Sequence, residues 1–374
     1  MRFHNTALAF CLSSLIGAGG AASAQDITIA TASPLTGTCA QDGNAIKNGA
    51  ILAAELINSK GGINGRKIKV ISEDDRADPK EAATVANKLA SEKDVIAVIG
   101  HYNSSCTLAG HPIYARGHLL ELSPASSAPS ISVEGAKPNS YIARVIGTDA
   151  MEGAFVARWM VKDQGNKKVA ILWENDDYGM GLRDVVNKAV QDLGGQVVAI
   201  ESYYMGETKD FSSIITKVRG LDPDCIFIGG LYNEAALIAK QAADMGWKPK
   251  IYGTDGVLSP ALVTLGGPAV EEFRLCGMFL ADLPKPEIQQ YCKAFRAKFN
   301  TEPALYDAMG YDAMLVIAEC IRKGGATREG IWGQLHSVAV PGVTGLNRFT
   351  ASGDVNKDWL KLQIRSQKFV LAEN

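Results

Sequence analysis

From Asp26 onward the chain repeats one exchange: a short β-branched run, a break at Gly, Pro, Asn or Asp, then an amphipathic stretch with apolar residues at helical spacing. The pattern predicts strands over 27–32, 67–73, 95–100, 119–123, 168–173, 196–203 and 225–229. It predicts helices over 44–59, 79–93, 107–116, 151–164, 179–194, 211–219 and 233–245. Strands joined through helices pair in parallel, because a parallel pair needs a long crossover. The run Val95-Ile96-Ala97-Val98-Ile99 has no polar alternation, as expected of a strand covered by helices on both faces. The fold class is therefore α/β, built from doubly wound, Rossmann-like sheets.

A chain of 374 residues exceeds what one core comfortably fills, so two lobes are expected. The strand-helix rhythm breaks over 123–146, where Pro124, Pro129 and Pro138 cluster and the only regular element expected is 141–145; this is read as the crossing between lobes. Helices over 287–299, 305–323 and 328–335 are read as additions to the first lobe, followed by a terminal strand pair at 347–350 and 360–370. The expected division is 25–146 plus 280–357 for lobe 1 and 147–279 plus 358–374 for lobe 2, with a multi-crossing hinge. Ligand crevices in open α/β sheets lie beyond the carboxyl ends of the strands, so two such lobes define a cleft lined by post-strand loops.

The first residues carry Arg2, an apolar stretch over 7–17 too short to span a bilayer, and Ala22-Ser23-Ala24, a secretory leader with cleavage expected after Ala24. Phe10 before Cys11 argues against a lipid anchor. Cleavage leaves 350 residues, and since Arg2 is the one charged residue removed, 37 basic against 40 acidic. That balance lacks the footprint of a nucleic-acid binder, and no later segment is long and apolar enough to span a bilayer.

Six cysteines then remain, and six allow 15 full pairings. Cys225 and Cys320 sit in apolar runs and read as buried thiols. If any pair is bridged, it is Cys39 with Cys106. The histidines left are His101, His111, His118 and His336, with no His-x-x-x-His or Cys-x-x-Cys arrangement, so no metal is expected. Nucleotide, dinucleotide and serine-hydrolase motifs are missing too; no catalytic residue and no cofactor are expected.

Three loops are suited to a ligand. Gly100 to Thr107 follows a buried strand and opens a helix, which points free N–H groups and the hydroxyls of Ser104 and Ser105 at the crevice, although a Ser or Thr there is also a common cap. The loop 123–129 follows the next strand, its prolines fixing the backbone so that the Ala125 carbonyl and Ser127 hydroxyl project in a set geometry. Tyr252-Gly253-Thr254-Asp255-Gly256 places a carboxylate after a strand of the second lobe, opposite two loops suited to a carboxylate. Together they suggest a zwitterion that bridges the lobes.

Gly61-Gly62-Ile63-Asn64-Gly65, Asp74-Asp75 with Asp78-Pro79, Asn103-Ser104-Ser105, the 124–129 loop, Asp176-Asp177-Tyr178-Gly179, Lys209-Asp210-Phe211, Ile228-Gly229-Gly230 and Gly253-Thr254-Asp255-Gly256-Val257 occur in an order and spacing that resembles the branched-chain amino acid binding proteins of ABC transporters, the leucine/isoleucine/valine type. The resemblance covers essentially the whole chain after the leader. It implies a type I periplasmic-binding-protein fold with three crossings between lobes.

Carried over by position, it puts Ser104 and the backbone of Ser127 on the ligand carboxylate, and the Ala125 carbonyl and Ser127 hydroxyl on the ammonium. Asp255 stands where the family usually has a glutamate for that ammonium. Tyr178 matches an aromatic that packs on the ligand, and Tyr306 falls where a pocket phenylalanine is expected. Leu231 replaces a family tyrosine, with Tyr232 next to it, and Asp42 takes another pocket position, where it would favour a ligand with an extra donor if it pointed inward. Ala77 and Asn103 stand where the family's disulfide often sits, which makes Cys39–Cys106 a candidate substitute.

The function implied is that of a monomeric, periplasmic solute-binding component that binds an amino acid, branched-chain or related, in the cleft between two lobes and delivers it to an inner-membrane ABC permease with its ATPase. Two rivals remain at this level: a ligand without an ammonium, such as an aromatic acid, an amide or a urea-like solute, and a sensor that reports to a receptor.

Overall fold

A computed structural model describes residues 25–134 and 137–373. The leader lies outside the described residues. Among those described, no helix is long and apolar enough to cross a membrane.

The first half runs β1 (Ile27–Ser33), α1 (Ala40–Ser59), β2 (Ile68–Asp74), α2 (Pro79–Ser91), β3 (Val95–Gly100), α3 (Ser104–Arg116) and β4 (Leu120–Ser123), then a small hairpin, β5 (Val133–Glu134) with β6 (Lys137–Pro138), and β7 (Ile142–Arg144). Its main sheet is wholly parallel in the order β2-β1-β3-β4-β7. Every residue of β3 is buried, in keeping with a central strand covered on both faces.

The chain then enters a second lobe: α4 (Asp149–Arg158), extended by one π turn over Trp159–Asp163, β8 (Lys168–Glu174), α5 (Asp177–Asp192), β9 (Gln196–Tyr203), α6 (Ser212–Arg219), β10 (Cys225–Gly229), α7 (Tyr232–Asp244), β11 (Ile251–Gly253), α8 (Pro260–Gly266) and β12 (Arg274–Gly277). It returns as α9 (Pro286–Phe299), α10 (Leu305–Gly324) and α11 (Arg328–Leu335), with α10 packed along α1 and α11 against β3. A hairpin of β13 (Ala339–Gly342) and β14 (Gly345–Arg348) follows. The chain finally crosses back to add β15 (Leu360–Arg365) and β16 (Lys368–Leu371), giving the second sheet the order β16-β15-β12-β11-β10-β8-β9. The three passages fall between β7 and α4, between β12 and α9, and between β14 and β15.

Two expectations are corrected. The crossing is not the whole of 123–146: β7 belongs to the first sheet, and only residues 145–148 pass between lobes. The terminal strands do not pair with one another either, since β14 pairs with β13 while β15 and β16 form their own hairpin. The turn of that hairpin puts Ser366 and Gln367 at φ 50° and 59°, a left-handed pair usually signalled by Asn-Gly. Ser-Gln gives no such signal, so the run read as one strand. Strand β12, four residues long, was also not predicted.

Candidate functional site

The carboxyl ends of β3 and β4 lead into two loops that brace one another. Ser123 Oγ donates to the His101 carbonyl at 3.0 Å and accepts the Ser126 N–H at 2.9 Å. Ser126 Oγ lies within 3.0 Å of the carbonyls of His101 and Tyr102 and 2.7 Å from Thr107 Oγ1. Arg144, fully buried on β7, donates to the carbonyls of Ser126 at 3.3 Å and Ala128 at 2.9 Å and pairs with Asp354 at 2.6 Å. Burial would raise the Asp354 carboxyl, but Arg144 and the hydroxyls of Ser132 and Ser352 hold it below its usual value. A residue of the third crossing thereby fixes a loop that follows β4.

A small cavity lies beyond these loops, lined by Tyr102, Asn103, Ser104, Ala125, Tyr178, Leu231, Asp255, Gly256 and Tyr306. Ser104 is the first residue of α3, and its Oγ accepts the Ala128 N–H at 3.3 Å, which leaves its own proton free to donate. Tyr102 and Tyr306 meet edge to face at 5.0 Å between centroids. On the other wall, Asp176 caps α5 through the Gly179 N–H at 2.7 Å, and Tyr178 in that first turn donates to Asp255 Oδ1 at 2.8 Å. The Tyr178 oxygen accepts the Gly256 N–H at 3.2 Å; a Cβ on Gly256 would stand 2.7 Å from that oxygen, so only glycine permits this approach.

Asp255 is the most polarised feature of the cavity. Its backbone N–H donates to Glu152 Oε1 at 2.8 Å, and its Oδ2 is buried without a hydrogen-bond partner. Burial pushes its carboxyl up to about 6, against the hydrogen bond from Tyr178, which lowers it. Burial also holds Glu152 and Asp149, at the start of α4, well above their ordinary values.

Five of the sequence-predicted residues therefore meet at one cavity: Ser104, Ala125, Tyr178, Asp255 and Tyr306. Four do not line it. Ser105 Oγ accepts the Asp177 N–H at 3.3 Å across the lobes. Tyr232 donates to the Thr38 carbonyl at 3.1 Å, also across the lobes. Asp42 does not point inward: Oδ1 accepts from Ser259 at 2.8 Å and Oδ2 from Tyr102 at 3.1 Å, so both its oxygens are engaged. Ser127 Oγ is buried without a hydrogen-bond partner and does not line the cavity, while its carbonyl accepts the Asp149 N–H at 2.9 Å. The sequence order of a loop does not fix which side chain faces the cleft, and in this loop Ala125 does while Ser127 faces away.

The Cys39–Cys106 bridge is corrected too. All six described cysteines are free and buried, and Cys39 Sγ lies 3.5 Å from Met205 Sδ of the other lobe. Among the described residues there is no cluster of three or more His, Cys, Asp or Glu placed to hold a metal ion. Sequence reasoning missed Glu152 and Tyr102. An acid one turn into a helix reads as an ordinary complement to the helix dipole, and an aromatic beside a helix start reads as packing.

Comparisons with known proteins agree with this fold. Residues 26–368 match a family described as periplasmic binding protein. An amino acid binding protein of Pseudomonas aeruginosa is 32% identical over 94% of this chain and 93% of its own length. A leucine-, isoleucine-, valine-, threonine- and alanine-binding protein of the same organism is 33% identical over 89% and 88%. Among solved structures, the branched-chain amino acid transporter substrate-binding protein LivJ from Streptococcus pneumoniae, in complex with isoleucine, superposes with a TM-score of 0.85 at 26% identity, covering 92% of this chain and 97% of that one.

Proposed function

The chain belongs to the periplasmic binding protein family, and from that premise we propose that it binds an amino acid, branched-chain or related, between its lobes and delivers it to an inner-membrane ABC permease with its ATPase. It works in the periplasm, as a monomer, after loss of the leader at 1–24. The lobes divide at 25–146 plus 280–357 and 147–279 plus 358–374, a division supported by the membership of the two sheets.

The observation that carries this reading is the pairing of unused polar capacity across one cavity. The free proton of Ser104 stands on one wall and the unpartnered Asp255 Oδ2 on the other. A zwitterion satisfies both, its carboxylate at Ser104 and the start of α3, its ammonium at Asp255. Tyr178 orients Asp255, and Tyr102, Tyr306 and Leu231 surround the ligand's side chain. A buried acceptor left without a donor is costly, so an aromatic acid, which brings no ammonium, would leave Asp255 unsatisfied.

Closure follows from the same contacts. A ligand shifts a two-state equilibrium only through its differential affinity for the two states, and only the closed state offers both walls at once. Asp42–Ser259, Tyr232–Thr38 and Ser105–Asp177 then join the lobes around the cavity. The test is Asp255→Ala titrated with L-leucine and with its deaminated analogue 4-methylpentanoate. The substitution weakens L-leucine by about a hundredfold, the loss expected for a buried charged partner. It leaves the deaminated acid nearly unchanged; equal losses for both would remove Asp255 from the ammonium role.

A further inference from the structure

Asp255 has a neighbour that the ligand-binding reading leaves unexplained. Glu152, on α4, is fully buried, and its two oxygens are differently used. Oε1 accepts the Asp255 N–H at 2.8 Å and lies 3.3 Å from Cys276 Sγ, while Oε2 has no hydrogen-bond partner. Asp255 shows the same asymmetry, with Oδ1 taken by Tyr178 and Oδ2 free. The titratable groups that face Glu152 are Asp149 on its own helix, Asp255 after β11, Cys276 on β12, Tyr178 on α5 and Tyr306 on α10. None is a cation. One ammonium would therefore meet two adjacent buried carboxyls, and two buried like charges against one counter-charge is strongly unfavourable.

We propose that Glu152 keeps a proton on Oε2 in the closed protein and donates it to Asp255, so that the two carboxyls present a single negative charge matched to a single ammonium. Oε1, already an acceptor, is the carbonyl oxygen of the neutral acid. The carboxylate of Asp255 retains lone pairs for the ligand while accepting from Glu152, since an ionised carboxyl offers about four acceptor sites. Burial raising Glu152, with the Asp255 charge raising it further, supports the assignment. Glu152 is thus a positioning residue: it holds the Asp255 backbone and sets the charge of the site without touching the ligand. A dibasic ligand would meet one negative charge here instead of two, so the pair also selects for a single ammonium. The inference rests on Asp255 facing the ligand ammonium.

Infrared difference spectroscopy at neutral pH reads the proton without any ligand. The wild-type spectrum carries a carboxylic-acid C=O band that is lost in Glu152→Gln; no such band in the difference would overturn the proposal. Titration with L-leucine supplies the second readout. Glu152→Ala weakens binding about tenfold, and Glu152→Gln, which keeps a neutral donor of the same shape, restores it to within about threefold of wild type. Glu152→Gln as damaging as Asp255→Asn would mean that Glu152 is itself an anionic partner, and the proposal fails. Failure of L-leucine to bind the wild-type protein would count against the amino-acid reading, while the infrared band would still decide the state of Glu152.

Discussion

The two walls of the cavity solve the problem of buried polarity in opposite ways. On the first lobe, Ser123, Ser126, Thr107 and Arg144 bond to each other and to backbone carbonyls, so the loops after β3 and β4 are held before any ligand arrives. The atoms those loops leave without a partner, Asn103 Oδ1 and Ser127 Oγ, are neutral, whereas on the second lobe Asp149, Glu152 and Asp255 each keep at least one buried carboxyl oxygen without a partner. A braced, neutral wall supplies geometry, and an acidic one supplies demand. The difference fits the proposed function, in which the ligand docks against a preformed surface and is then completed by charge from the side that moves onto it.

Breaking the braced wall is expected to have the largest effect. Arg144→Met leaves Asp354 without its partner and the carbonyls of Ser126 and Ala128 without theirs, and the expected loss is about 3 kcal/mol of stability, read by chemical denaturation. L-leucine affinity falls with it, because the loop that carries Ala125 and supports Ser104 loses its brace. A variant as stable as wild type would show that this wall is not held from the third crossing.

The contacts between the walls come next, and they make a pH prediction. Burial raises the Asp42 carboxyl from 3.8 to about 7, despite hydrogen bonds from Ser259 and Tyr102 that lower it. The closed, folded protein therefore holds this proton more tightly than the unfolded chain does. Its favourable contribution is complete below about pH 4 and is lost as pH rises through about 7. Asp42→Asn removes that loss, so the variant gains on wild type by on the order of 2 kcal/mol between about pH 5 and about pH 8, measured as paired thermal melts. A gap independent of pH would place Asp42 in an ordinary, solvated setting.

Much of this was legible in the chain. The strand-helix rhythm placed β1 to β4 and β8 to β10 within a residue or two: β3 and β10, buried at every residue, are continuous apolar runs, while the edge strands β2 and β9 are β-branched runs only partly buried. Ser104, Ala125 and Asp255 were legible because the loops that carry them follow strands, whereas Tyr178 and Tyr306, the latter at a helix start that follows another helix, came from the family resemblance. Asp42, Ser105 and Tyr232 were read as ligand contacts and are lobe-to-lobe contacts, since sequence shows that a residue lies near the cleft but not which neighbour it meets once the lobes close. The direction of Ser127 and the role of Glu152 escaped for a related reason: how a side chain points within a proline-fixed loop, or on the first turn of a helix, is decided by packing from other elements.

The smallest expected effects sharpen the comparison. Ser104→Ala removes one hydroxyl donor from a wall that also offers the start of α3, so L-leucine affinity falls by roughly fivefold to tenfold in calorimetry. Tyr232→Phe removes one hydrogen bond between the lobes and costs under about 1 kcal/mol, seen as a slightly faster ligand off-rate. A Ser104→Ala loss rivalling that of Asp255→Ala would reverse the assignment of supply and demand to the two walls.

The most direct measurement is a crystal structure of the protein grown with L-leucine. The ligand is expected in the space between Tyr102, Tyr178 and Tyr306, its ammonium within hydrogen-bonding distance of Asp255 Oδ2 and its carboxylate at Ser104. A ligand bound the other way round, or bound without touching Asp255, would contradict the account.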